Sequence, residues 1–72
     1  MPNNSAGDEA ALATAFWQMH DLVVRINEIL SRNPALAENV PIKLPITVDP
    51  DEVVAECRIL AEYYERRAKR ED

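Results

Sequence analysis

Seventy-two residues with a net charge of −5, one glycine, one cysteine and one histidine exclude several classes of protein. The chain is shorter than an ordinary domain, which excludes a multi-domain enzyme. A single cysteine cannot bridge within its own chain, and the lone Gly7 cannot build a glycine-rich phosphate loop.

The first ten residues, MPNNSAGDEA, carry no Lys or Arg and lead into no apolar run of signal-peptide type. No apolar stretch is long enough to span a bilayer. A free thiol suits a reducing compartment, so a cytoplasmic location is expected. Residues 1–6 read as a flexible polar lead, with Ser5 and Asp8 in an approximate capping-box relation.

A first helix is expected over residues 7–32. Leu12, Phe16, Met19, Val23, Ile26 and Leu30 are spaced 4, 3, 4, 3, 4, which is the seam of a coiled-coil-like helix. Ala15, Leu22 and Ile29 recur every seven residues and widen that seam. Gln18, Asp21, Arg25 and Glu28 fall on the opposite side. Asn33-Pro34 ends the helix, because the residue before proline avoids the helical region. Pro34 can open one short helical turn reaching Glu38.

Residues 33–49 form a long connection. Within it Val40, Ile42, Leu44, Ile46 and Val48 alternate with polar or proline positions, a period of two. Pro41 and Pro45 share one parity, so an edge strand is geometrically possible. The general disfavour of proline in sheets points instead to an extended, apolar-faced strap over a helix groove. Such a strap is long enough to leave parallel and antiparallel helix pairs both open.

A second helix is expected over residues 50–70. Asp49 is a good N-cap, Pro50 suits the first helical position, and Asp51 and Glu52 favour the positive end of the helix dipole. Val48 and Val53 have the spacing of a hydrophobic staple. Val53, Cys57, Leu60 and Tyr64 continue a 4, 3, 4 seam, with Val54, Ala61 and Ala68 beside it. Arg66, Arg67, Lys69 and Arg70 complement the negative C-terminal end.

Little in the chain points to catalysis. His20 stands alone, with no HxxxH, CxxC or HExxH spacing to make a metal site. Cys57 lies on a seam with no adjacent histidine to activate it. Glu56, Glu62 and Glu65 read as a solvated helix face rather than an acid–base pair. No metal or other cofactor is expected. The basic run Arg66, Arg67, Lys69, Arg70 offers an alternative, nucleic-acid-associated reading. Against it stand the flanking acids, a pI of about 4.7 and the lack of a helix-turn-helix frame. A bundle with a small-ligand pocket lined by Phe16, Met19 and Tyr64 is a further alternative.

Trp17 stands out. With Val24 one heptad later and His20 between them, it forms a second apolar patch about 100° from the seam centre. Tryptophan is enriched at binding hot spots, so Trp17, His20 and Val24 are candidate partner-binding residues. The sequence therefore reads as an all-α chain of two helices with a long, proline-containing connection, expected to self-associate into a four-helix-type bundle. Its expected function is that of a small acidic, non-catalytic protein-interaction module: an assembly factor, accessory subunit or regulatory inhibitor. A homo-oligomer, with a protein partner and neither nucleic acid nor membrane, is the expected assembly.

Overall fold

The computed structural model describes residues 5–70, with side chains for 6–69. It is all-α: α1 (Ser5–Arg32), α2 (Pro34–Glu38), α3 (Pro45–Val48) and α4 (Pro50–Arg70). No strand occurs among the described residues. Helix α1 begins at Ser5, so Ser5 and Ala6 are helical rather than part of a lead. The first four residues of the expected lead lie outside the described residues, as does the side chain of Arg70.

The two long helices pack against each other and run in opposite directions. Glu9 meets Arg67, Trp17 meets Glu65, and Asn27 meets Asp51, so numbers rise along α1 as they fall along α4. The body measures 52 × 18 × 14 Å, two helices wide and one thick.

The chain leaves α1 through a forked hydrogen bond, with Asn33 N donating to the carbonyls of Ile29 (3.2 Å) and Leu30 (3.3 Å). Pro34 then opens α2, where its missing N–H costs nothing. The Asn39 side chain closes that turn by donating to the Ala35 carbonyl at 2.8 Å.

Between α2 and α4 the chain departs from an extended strap. Residues 45–48 coil into α3 because Pro45 has the fixed φ of a first helical residue and Leu44 is extended before it. Thr47 completes the turn. Its hydroxyl accepts from Leu44 N–H at 3.1 Å and donates to the Leu44 carbonyl at 2.9 Å. The turn breaks the period-two alternation and directs Ile46 onto the core of Val23, Val53 and Cys57. Val48 stays exposed, so Ile46, rather than a Val48–Val53 staple, packs over the start of α4.

The core is narrow and made of small side chains. Ala13, Val23, Val53, Cys57 and Ala61 are buried, and Ala61 is fully enclosed. Small residues let the two backbones approach closely, and the larger Phe16 and Tyr64 then stack beside them at 6.0 Å between ring centroids.

Candidate functional site

Helix α1 carries two seams, and only one of them faces α4. The inner seam is Glu9, Ala13, Phe16, His20, Val23, Asn27 and Leu30, spaced 4, 3, 4, 3, 4, 3, with every member buried or half-buried. It shares Phe16, Val23 and Leu30 with the apolar pattern read from sequence. Where that pattern has Leu12, Met19 and Ile26, the inner seam has Ala13, His20 and Asn27. On α4 the matching line is Val54, Cys57, Ala61, Tyr64 and Ala68, all buried or half-buried, with Val53 buried beside it and Leu60 displaced to the rim.

Polar contacts pin this rotation of α1. Glu9, 8 % exposed, accepts from the Arg67 guanidinium, and this hydrogen bond, followed by the charge of Glu9, holds the Arg67 pKa above its usual value. Arg67 also lies 5.7 Å over the Tyr63 ring. The Trp17 indole N–H donates to Glu65 at 2.9 Å. Asn27 donates to Asp51 at 3.0 Å near the other end. Together they draw the Trp17 flank of α1 toward α4.

Trp17, His20 and Val24 thus sit half-buried along one edge of the helix pair. Trp17 and His20 meet edge to face at 5.4 Å, and His20 Nδ1 lies 3.1 Å from Asp21. His20 also lines a shallow groove of 280 Å³ with Asp51, Val54, Ala55, Arg58 and Ile59. Part of the Trp17 patch is therefore covered by the chain's own α4.

Rotation exposes the other flank. Leu12, Ala15, Met19, Leu22, Ile26 and Ile29 are spaced 3, 4, 3, 4, 3 and form a second complete seam. Leu12 and Met19 are 42 % exposed, Leu22 52 % and Ile29 40 %. The stripe runs ~26 Å along the helix. On the same side of the molecule, opposite the Trp17–Glu65 edge, α4 contributes Val53, Glu56, Leu60, Tyr63 and Arg67. Leu60 and Tyr63 are also exposed. An apolar stripe of this length on a small protein is the kind of surface that marks an interaction site.

No protein-family model, curated protein or solved structure matches the chain.

The remaining candidates have local roles. Burial raises the Cys57 thiol pKa above its usual value and the charge of Glu56 adds to this, which makes the thiol a poor nucleophile. Phe16 and Tyr64 stack directly on each other, while Met19 points to the opposite, exposed seam, so the three do not enclose a common pocket. Of the basic run, Arg67 is engaged by Glu9, while Arg66 and Lys69 are exposed. Among the described residues no three His, Cys, Asp or Glu side chains gather closely enough to hold a metal ion. No helix there is long and apolar enough to cross a membrane.

The apolar alternation 12–15–19–22–26–29 is fully visible in the sequence. Its exposure is not, because the spacing is equally compatible with packing on α4. The contact roles of Glu9, Asn27 and Glu65 are not visible in the sequence, because polar side chains leave no mark on a hydrophobic pattern.

Proposed function

We propose that this chain is a small, acidic, non-catalytic protein-interaction module that works by helix-face docking. Its helix pair is a hairpin, and two hairpins join through the exposed α1 seam into a four-helix-type bundle. The exposure of Leu12, Met19, Leu22 and Ile29 at seam spacing carries this reading. Such a stripe is what an amphipathic helix presents to a groove or to another helix. The chain's surface supports it as well. At 5546 Å² it exceeds by ~1,000 Å² the ~4,500 Å² of a compact protein of this mass. That excess is close to the ~800 Å² that each partner buries in a stable interface.

Assembly would also supply the core that so short a chain lacks by itself. The completed bundle, with its acidic surface and the Trp17 edge outward, would then present the face for a foreign protein partner. The test is thermal unfolding over a range of protein concentrations, for the wild type and for a Met19→Glu/Leu22→Glu variant. The reading expects a melting temperature that rises with concentration in the wild type only. A melting temperature independent of concentration in both would overturn it.

A further inference from the structure

Four helices can be assembled from two such hairpins in two symmetric ways. In one, the twofold axis crosses the helices, and each α1 lies antiparallel on the α1 of the other copy. In the other, the axis runs along the helices, and each α1 lies on the α4 of the other copy. Resting on the self-association proposed above, we infer that the occupant of the α1 seam is the α1 seam of a second copy, antiparallel and centred between Met19 and Leu22.

Apolar matching is the first argument. The α1 seam is uninterrupted over six positions, from Leu12 to Ile29. The adjoining stripe of α4 is broken by Glu56 and by Arg67, which Glu9 already engages. Seam on seam sets Leu12 against Ile29 of the second copy, Ala15 against Ile26, and Met19 against Leu22.

Charge placement is the second. Asp8 continues the line of Ala15, Leu22 and Ile29 one heptad toward the N-terminus. Arg32 ends the line of Gln18 and Arg25 that borders the seam. Measured along α1, Asp8 lies ~19 Å from the seam centre and Arg32 ~17 Å on the other side. A crossing twofold axis therefore brings Asp8 level with Arg32 of the second copy, twice per dimer. Arg25 meets the neutral Gln18. The broad face, 52 × 18 Å, covers about 900 Å², enough for a stable twofold interface at ~800 Å² per partner.

Spin labels report the arrangement directly. Asn33→Cys, in a Cys57→Ser background, labels an exposed site just beyond α1 whose side chain makes no capping bond. In the proposed dimer the two labels stand ~38 Å apart along the helix direction. With the axis along the helices they would lie within about 25 Å, the diagonal of a four-helix bundle plus two label arms. A single distance near 38 Å is the expected result. A short distance in a sample that sediments as a dimer would overturn this register and leave the self-association standing. A monomer, or a dimer lost only on mutating the Trp17 edge, would overturn both. Charge reversal gives a second readout. Asp8→Lys or Arg32→Glu alone should weaken the dimer about five- to tenfold, and the double variant should regain the loss. Absence of that recovery in a correctly folded double variant counts against the pairing.

Discussion

Val23 and Leu22 are neighbours in sequence with opposite assignments, and replacing each with alanine separates the two seams. Val23 is 2 % exposed between α1 and α4. Its replacement removes two carbon groups at ~0.8 kcal/mol each and leaves a partly unfilled space, a loss of about 2 kcal/mol. That loss belongs to one chain and is independent of protein concentration. Leu22 is 52 % exposed in the single chain. Truncating it removes three carbon groups, half of whose burial is absent until a second copy arrives. The single chain loses about 1 kcal/mol, and the dimer loses about 1 kcal/mol more per copy. Across two copies this is ~2 kcal/mol, or roughly 30-fold in the dissociation constant. Urea unfolding of both variants at several protein concentrations measures the difference. Val23→Ala should lower stability by the same amount throughout. The Leu22→Ala deficit should grow as concentration rises through the dimerisation range. Equal, concentration-independent deficits would refute the two-seam assignment, and so would a larger single-chain deficit for Leu22→Ala than for Val23→Ala.

Three further outcomes follow from the local geometry. The Cys57 thiol has a folded-state pKa above its usual value, so the unfolded chain ionises first as pH rises. Its contribution is complete below about pH 9 and is lost above it. Wild-type stability should fall as pH rises above about 9 with a steeper slope than Cys57→Ala, while a thiol reagent at pH 8 should label the native chain slowly. Glu65→Ala removes the acceptor of the Trp17 N–H and should shift tryptophan emission to the red. Glu65→Gln, whose amide oxygen still accepts, should leave emission unchanged. Thr47→Val removes both hydroxyl bonds to Leu44 and should cost about 1 kcal/mol in urea unfolding, with Ile46 losing its hold on the core.

Much of the fold was legible because its signals are local. Proline at a first helical position, charge matched to the dipole and seven-residue spacing all act within a turn or two, and they mark α1, α2 and α4. The α3 turn is hidden in the sequence because Leu44 to Val48 carries two overlapping patterns. Alternation suggests an extended chain, whereas Leu44-Pro45 followed by Thr47 closes a helical turn with its own hydroxyl. The direction of α4 and the rotation of α1 depend on contacts 24 to 58 residues apart, such as Asn27–Asp51 and Glu9–Arg67. Spacing within one helix shows how wide the apolar surface is, but not which part another helix covers. The small buried residues Ala13 and Ala61 contribute to that choice, since each lets the facing backbone approach closely. The same limit governed the candidate site. Trp17 drew attention by its size, yet its indole is spent in part on Glu65, while the seam left open consists of ordinary aliphatic side chains.

Sedimentation equilibrium of the wild-type chain from micromolar to several hundred micromolar tests the central claim most directly. Two α1 seams on one helix predict a reversible rise from the 8.2 kDa of one chain to about 16 kDa. Leu22→Glu should hold the mass at the lower value. A wild-type chain that remains folded at 8.2 kDa at the highest concentration would contradict it.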